Sequence, residues 1–278
     1  MFDKDKNNKN SQHQDQDSFD LIVMDTETIP DYELFREEIE LMRENGAKML
    51  KPIYNKIVAI SFLQAKGHMT ENGSFKIDVE ECRSGGNLNS TEHQLLAGYN
   101  KFFDSLKPKL VTFSGRNFDI PVIKARSFKE SVPMKAWHQE GTKWENYTHR
   151  YSDIYHCDVM DAMSDFGAST FTSLKDFSKA IGLPSKLIAD GSLVEGMYEN
   201  GEMQKIREYC ELDCVNTYVV YLQYQLTVGK MNQNDYEYSL NSIKDFLKNS
   251  DKEHFNQYYC EWVKEPSNSD KLESGFSM

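Results

Sequence analysis

Short apolar runs separated by polar stretches predict a chain that alternates between buried strands and helices. The continuous apolar run at 19–25 is typical of a strand buried on both faces. Apolar runs at 56–64 and 109–113 predict two further strands, and 75–82 alternates between apolar and polar residues like a half-exposed strand. A last short strand is expected at 154–158. Strands that come first and then alternate with helices indicate an α/β fold built on a mixed sheet.

Helix signals fall between and after these strands. Thr91 with Gln94 resembles a capping box, which predicts a helix beginning just after Thr91. Ser173 is a suitable N-cap for a second, compact helix. Helices are predicted at 31–46, at 91–106, from about 120, at 173–184, at 203–225 and within 235–264, whereas 131–151 is irregular and rich in aromatic residues.

Composition narrows the class of protein. With 39% hydrophobic and 12% aromatic residues, the 278-residue chain can bury a core, which excludes wholesale disorder. No apolar run approaches the ~20 residues that span a bilayer, so we expect no membrane helix. Residues 1–18 are polar and lack the apolar segment of a secretory signal. We therefore expect disordered tails at 1–18 and 265–278 on either side of a single domain at 19–264.

The cysteines indicate a reducing compartment. Their number is odd and no C-x-x-C pair occurs, which is typical of reduced thiols in a cytoplasmic protein. Cys210 and Cys214 lie one helical turn apart, but two soft ligands without a histidine nearby in the sequence disfavour a zinc site.

A pair of carboxylates stands where the first buried strand ends. Asp25 and Glu27 are two residues apart, so on a strand their side chains point to the same side and suit a hard cation such as Mg²⁺. Asp25 interrupts a fully apolar strand, where a charge is costly unless it is paired or binds metal. The same D-x-E spacing recurs in more polar sequence at 31/33, 78/80, 235/237 and 251/253, where solvated surface charge is the simpler interpretation.

Two further acidic motifs follow along the chain. Asp119 lies just past the strand at 109–113, where it is either an ordinary N-cap or a third carboxylate at the same edge of the sheet. Tyr209 and Asp213 lie four residues apart and share one helix face. A surface pair is the alternative interpretation, but Ile206, Thr217 and Val220 continue the same stripe and indicate that it faces inward.

The three motifs, in this order, resemble those of the DEDD 3′–5′ exonucleases of the tyrosine branch. Glu208 occupies the place where the sister branch has histidine, so the sequence does not fit that branch. Residues 19–228 are similar to stand-alone exonucleases related to the proofreading domain of family B DNA polymerases. The similarity lies in FDLIVMDTETIP, KPIYNKIVAISF, VTFSGRNFDIPVI, the stretch from HCDVMD to SLKDFSKAIGLPSK, and IREYCELDCVNTYVVYLQ.

This resemblance implies a ribonuclease H-like fold, in which three antiparallel strands and then parallel ones form a mixed five-stranded sheet flanked by helices. It also implies that two divalent cations, Mg²⁺ or Mn²⁺, are bound by four carboxylates. Asp25 is expected to bridge both ions, Glu27 and Asp213 to complete the site of the ion that activates water, and Asp119 to support the second ion. A phenol with a pKa of ~10 is a poor base, so we expect Tyr209 to orient the attacking water.

The residues beside these motifs have less specific assignments. Thr26 and Asn117 flank the expected site and are candidates for contact with the terminal nucleotide. His156 and Asp158 form an H-x-D motif, for which an N-cap or supporting role is favoured over metal ligation.

The expected function is hydrolysis of phosphodiester bonds at nucleic-acid 3′ ends, with single-stranded DNA as the substrate. The motifs act on phosphates rather than on the sugar, so trimming of RNA 3′ ends remains an alternative. A non-catalytic nucleic-acid-binding module is a second alternative.

The net charge of −12 argues against a protein that coats nucleic acid, because such proteins are usually basic. Residues 121–150 nevertheless contain six basic residues against three acidic ones, interleaved with Phe128, Trp137, Trp144 and Tyr147. This segment is either a surface for stacking bases and holding phosphates or a solvated loop. The acidic total is therefore compatible with an enzyme that holds one 3′ end briefly.

Overall fold

The computed structural model describes residues 18–184 and 193–264. The tails predicted at 1–18 and 265–278 lie outside these ranges, apart from Ser18, which begins the first strand.

Five strands of the described residues form one mixed sheet in the order β3-β2-β1-β4-β5. The strands are β1 (Ser18–Pro30), β2 (Asn55–Met69), β3 (Phe75–Ser84), β4 (Lys109–Thr112) and β5 (His156–Asp158). The first three pair antiparallel, whereas β4 runs parallel to β1 and β5 runs parallel to β4. This confirms the predicted α/β, ribonuclease H-like arrangement.

Strand β1 is longer than the apolar run predicted, because its polar continuation pairs with β2. The predicted strand ends at Asp25, but the ladder with β2 continues to Pro30, opposite Asn55. A bulge between Glu27 and Thr28 shifts the register of this continuation. Asp25 and Glu27 therefore lie within a paired strand, which restricts their backbone more than a loop would.

Helices surround the sheet, most of them close to the predicted positions, but α4 lies in the segment 131–151 that was expected to be irregular and α7 was not predicted. They are α1 (Tyr32–Glu44), α2 (Glu92–Leu106), α3 (Asp119–Glu130), α4 (Lys135–Gln139), α5 (Val159–Met163), α6 (Leu174–Ala180), α7 (Val194–Glu199), α8 (Met203–Thr227), α9 (Gln233–Asn249) and α10 (Glu253–Trp262). Thr91 and Gln94 form the capping box at the start of α2 as predicted. No helix in the described ranges combines the length and the hydrophobicity needed to cross a bilayer.

Two hydrophobic layers fix the sheet between the helices. Leu21 and Val23 pack with α8, α9 and α10, whereas Ile22 and Met24 pack with α2, α3 and α4. This alternation is the period of two that a strand imposes on its side chains. Helix α8 is buried at every position from 210 to 222, so it is a central helix of the core.

Two of the four aromatic residues in the basic segment at 121–150 are buried, which corrects the interpretation that its aromatic residues form one base-stacking surface. Trp137 and Tyr147 are 4% and 0% exposed, and their rings stack at a centroid distance of 5.5 Å. The Tyr147 hydroxyl also donates to the backbone oxygen of Pro108 at 2.6 Å. Only Phe128 and Trp144, 86% and 70% exposed, remain accessible among the four aromatic residues.

Arg126 of the same segment is fully buried, so it is not available to phosphates. Its guanidinium donates to both carboxylate oxygens of Glu92 at 2.7 and 2.6 Å. It also contacts Asp31 at 2.8 Å and the backbone oxygen of Ile53 at 2.7 Å. These contacts join α3 to α2 and to the segments that flank α1.

Candidate active site

Asp25 and Glu27 project from β1 toward α8. They continue the alternation of Leu21 and Val23, whose side chains pack against that helix. In the ladder with β2, Asp25 lies opposite Ser61 and Glu27 lies opposite Ala59. Asp25 keeps part of its surface accessible, whereas Glu27 is 8% exposed.

Asp119 reaches β1 from the opposite face of the sheet, through Thr26. Its carboxylate oxygen Oδ1 accepts hydrogen bonds from the Thr26 amide at 3.0 Å and from the Thr26 hydroxyl at 2.6 Å. The N-cap of α3 is Phe118, and no side-chain cap bond is formed there. The N-cap alternative for Asp119 is therefore wrong, and its side chain lies at the sheet edge.

The open edge of β1 explains why Asp119 can bind there. Pairing between β1 and β4 covers Leu21 to Val23 only. Beyond Val23 the amides that point toward β4 have no strand partner, so the Thr26 amide is free to donate to Asp119.

Tyr209 and Asp213 enter the site from α8, one helical turn apart. A hydrogen bond joins the Tyr209 side chain to the Asp213 carboxylate. Asp213 is 8% exposed, and its Oδ1 is buried without a hydrogen-bond partner in the described part of the chain. An unpaired buried carboxylate oxygen is costly unless something positive binds it.

The site is strongly acidic, and its carboxyl groups raise one another's pKa values. Burial, followed by the charges of neighbouring carboxylates, raises the pKa of Asp25 and of Glu27 well above the usual range. Burial raises the pKa of Asp119 to about 6, although hydrogen bonds from Thr26 oppose this shift. Burial also raises the pKa of Asp213 to about 7, against the opposing bond from Tyr209.

The hydrogen-bond donors that reach these carboxylates are neutral. Thr26 donates to Asp119, Tyr209 contacts Asp213, and the Cys210 thiol lies 3.3 Å from Oδ2 of Asp25. Most other buried carboxylates of the described ranges pair with cations: Asp31 and Glu92 with Arg126, Asp161 with Arg150, and Glu211 with Lys252. Asp158 instead accepts hydrogen bonds from three backbone amides. Within residues 18–184 and 193–264, no salt bridge pairs a protein cation with Asp25, Glu27, Asp119 or Asp213.

The buried carboxylates with their neutral donors fit divalent cations. The donors are carboxylate oxygens, which Mg²⁺ and Mn²⁺ prefer, and Asp213 offers an oxygen with no other partner. The possible ligand atoms of Asp25, Glu27 and Cys210 lie within 4.8 Å of one another. This group includes neither Cys214 nor the carboxylates of Asp119 and Asp213.

Asp158 supports the segment that carries Asp119. Its carboxylate accepts hydrogen bonds from the amides of Ser114 at 3.0 Å and Arg116 at 2.7 Å, and it caps α5 through the Asp161 amide. This agrees with an N-cap and supporting role rather than metal ligation. His156, at the start of β5, hydrogen-bonds the Thr112 hydroxyl through Nε2 at 2.8 Å.

The two residues expected near the terminal nucleotide differ in accessibility. Asn117 is exposed, whereas Thr26 is 4% exposed and uses both its amide and its hydroxyl to hold Asp119.

The sequence interpretation missed Cys210 as a neighbour of Asp25. Its spacing from Ile206 and Asp213 places it on the inward stripe of α8, and this was the available signal.

Comparisons with known proteins agree with this architecture. A family model described as "Predicted 3'-5' exonuclease related to the exonuclease domain of PolB" matches residues 47–262, more than half of the chain. The match includes Asp119, Tyr209 and Asp213, while Asp25 and Glu27 precede it. No curated protein matches the chain.

One similar solved structure is the family B DNA polymerase from the hyperthermophilic archaeon Pyrobaculum calidifontis. The identity is 14% and the TM-score is 0.48, over 82% of this chain and 29% of the polymerase. The chain thus spans less than a third of the length of that polymerase.

Proposed function

The chain belongs to the family of predicted 3′–5′ exonucleases related to the exonuclease domain of PolB, and we propose that it hydrolyses phosphodiester bonds at nucleic-acid 3′ ends with two divalent cations. The observations that carry this proposal are the adjacent carboxylates of Asp25 and Glu27 and their electrostatic repulsion with Asp119 and Asp213, where the donors found among the described residues are neutral. Four mutually repelling carboxyl groups without a cation destabilise a fold. Binding of divalent cations is the function that accounts for their presence.

The carboxylates are the proposed ligands. Asp25 and Glu27 on β1 and Asp213 on α8 would hold one ion, and Asp25 and Asp119 would hold the second. When bound, such a pair of ions activates water and stabilises the charge on the attacking and leaving oxygens. The chain's own residues fix the carboxylates: the β1–β2 ladder holds Asp25 and Glu27, Thr26 holds Asp119, and α8 holds Asp213.

Tyr209 positions the attacking water rather than taking its proton. Burial and the charges of Asp213, Glu27 and Asp25 raise the pKa of Tyr209 far above the ordinary phenol value. A phenol already has an ordinary pKa of ~10 and is a poor base, so this shift favours a hydrogen-bonding role for the hydroxyl. A fixed phenol beside Asp213 can instead hydrogen-bond a water and orient it toward the phosphate.

Single-stranded DNA is the proposed substrate. The family description relates the chain to the exonuclease domain of a DNA polymerase, which favours DNA over RNA. The net charge of −12 and the burial of Arg126, Trp137 and Tyr147 favour contact with one chain end over binding along a duplex.

The test is digestion of a single-stranded DNA oligonucleotide that carries its label at the 3′ end, in the presence of Mg²⁺ or Mn²⁺. We expect release of labelled mononucleotide by the wild-type chain, and a loss of at least about 10³-fold in Asp25→Asn and in Asp213→Asn. Both variants relieve charge repulsion and should fold. An RNA oligonucleotide digested in parallel decides between the two substrates.

The matched control is Asp78→Asn. Asp78 belongs to another D-x-E triplet, on β3, and its side chain is 42% exposed in an ion pair with His68. This variant should digest DNA at the wild-type rate. Undiminished release by both site variants would contradict the proposed ligands, and equal loss in Asp78→Asn would show that the effect is not specific to the site.

A further inference from the structure

A thiol lies against the carboxylate that is proposed to bridge the two cations. Sγ of Cys210 is 3.3 Å from Oδ2 of Asp25 and 3.4 Å from the Asp25 backbone oxygen. Cys210 is 0% exposed and directly follows Tyr209 on α8. Its side chain therefore joins α8 to β1 at the site itself.

We propose that Cys210 is a positioning residue that orients Asp25 for cation binding, and that a buried hydrogen-bond network anchored by Glu211 keeps its thiol a donor. This inference rests on the proposed function, because it takes Asp25 as a cation ligand. It concerns how the chain holds that ligand, and the thiol itself is not assigned as a ligand.

The hydrogen-bond network begins at Glu211, which is held by Lys252 and His254 at the start of α10. Lys252 donates to Oε2 of Glu211 at 2.8 Å, and Nε2 of His254 lies 3.0 Å from the same oxygen. The ion pair with Lys252 and the bond that Oε1 accepts from the Ser84 amide both identify Glu211 as a charged acceptor. An ionised carboxylate only accepts hydrogen bonds, so Glu211 sets the direction of the bonds that follow.

Two serines continue the hydrogen-bond network across the sheet. The Ser84 hydroxyl on β3 donates to Oε1 of Glu211 at 2.9 Å, and the Ser84 amide donates to the same oxygen at 2.8 Å. Ser61 on β2 lies 2.8 Å from the Ser84 hydroxyl. Because the Ser84 proton goes to Glu211, the Ser61 hydroxyl donates to Ser84.

The Cys210 thiol lies between Ser61 and Asp25. Ser61 hydrogen-bonds Cys210 and lies opposite Asp25 in the β1–β2 ladder. With its own proton directed to Ser84, Ser61 does not donate to Cys210, so the thiol remains a donor. Its single proton goes to Asp25 rather than to Ser61, because a carboxylate that is ionised as a cation ligand is the stronger acceptor. Cys210 thereby restricts rotation of the Asp25 carboxyl group.

A neutral donor suits this position because it orients the carboxylate without cancelling its charge. A lysine or arginine at the same place would offset the negative charge that attracts the cations. Groups that hydrogen-bond a metal ligand typically change metal affinity by about 10–100-fold when they are removed. We expect an effect of this size from loss of the thiol.

The test compares Cys210→Ala and Cys210→Ser with Cys214→Ala in the full chain. Cys214 is also 0% exposed and lies one turn further along α8. It belongs to the hydrophobic cluster that α8 forms with α9 and α10. The readout is Mn²⁺ affinity without nucleic acid, measured by calorimetry. We expect about 10–100-fold weaker binding in Cys210→Ala, near wild-type binding in Cys210→Ser, and no change in Cys214→Ala.

The proposal is overturned if Cys210→Ala binds Mn²⁺ like the wild type, or if Cys210→Ser is as weak as Cys210→Ala. Should the alanine variant unfold, Cys210→Val fills the space without a donor and carries the same expectation. Asp25→Asn separates the two proposals. If it leaves Mn²⁺ affinity unchanged, the cation site itself is wrong; if it weakens binding while Cys210→Ala and Cys210→Val do not, only the role of Cys210 is wrong.

Discussion

Thr26 donates both its amide and its hydroxyl to a single oxygen of Asp119, at 3.0 and 2.6 Å. The two residues are 93 positions apart in the sequence. Thr26 projects to the sheet face opposite Asp25 and Glu27, so β1 supplies two carboxylates on one face and the support for a third on the other. One strand thereby fixes the relative positions of three of the four acidic groups.

Thr26→Val tests this contact, because valine keeps the shape of threonine but lacks the hydroxyl. We expect a loss of about 1–2 kcal/mol in the free energy of unfolding, since a buried carboxylate loses a donor. We also expect a lower kcat with an unchanged KM for the oligonucleotide. Urea denaturation and steady-state kinetics measure the two effects, and Thr26→Ser serves as the control. A raised KM at unchanged kcat would instead assign Thr26 to contact with the nucleotide.

Tyr209→Phe should lower kcat by about 10²-fold, because the water loses a group that orients it. The pH profile of the remaining activity should keep its shape, since a phenol with a strongly raised pKa does not titrate in the working range. The matched control is Tyr218→Phe, whose hydroxyl is buried on the same helix without a hydrogen-bond partner in the described part of the chain. Loss of an ionisation from the profile of Tyr209→Phe would contradict the positioning role.

The cation-free chain should become less stable as the pH rises from about 4 to about 7. The ordinary pKa of an aspartate is 3.8, whereas the pKa values of Asp119 and Asp213 in the folded chain are about 6 and about 7, so folding favours their protonated forms. Above these pKa values the folded chain carries both charges, which costs about 1.4 kcal/mol for each unit of raised pKa.

Thermal unfolding with EDTA and with Mn²⁺, at pH 5 and pH 8, measures this effect. Mn²⁺ should raise the Tm more at pH 8, because protons compete with the cation at pH 5. In EDTA, the Tm of the Asp213→Asn variant should depend less on pH than the Tm of the wild type. A cation-free Tm that rises steadily between these pH values, in wild type and variant alike, would contradict the assignment.

Arg126→Met should destabilise the chain by about 3–5 kcal/mol, because it leaves Glu92 and Asp31 buried without their cation. Chemical denaturation measures the loss. The control is Arg36→Met, which removes an ion pair whose partners are 64% and 55% exposed and should cost less than about 0.5 kcal/mol. A stable Arg126→Met variant with weakened DNA binding would restore the interpretation of Arg126 as a phosphate contact.

The sequence by itself determined the order of strands and helices and the three acidic motifs. Apolar runs and caps are local signals, so the boundaries of α2 were predicted within a residue from Thr91 and Gln94. The proposed ligands could be chosen because Asp25 interrupts an apolar run and Asp213 lies on an inward stripe. Both features follow from the cost of burying a charge, which acts at the level of a single strand or helix.

Only the tertiary structure decided which distant side chains meet. The N-cap interpretation of Asp119 was locally as good as the contact with Thr26, and Arg126, Trp137 and Tyr147 had the composition of a binding surface. Their actual partners depend on strand order, on the end of β4 at Thr112 and on the way α3 packs against the sheet. Cys210 meets Asp25 for the same reason. Such contacts join residues far apart along the chain, and no local pattern of polarity specifies them.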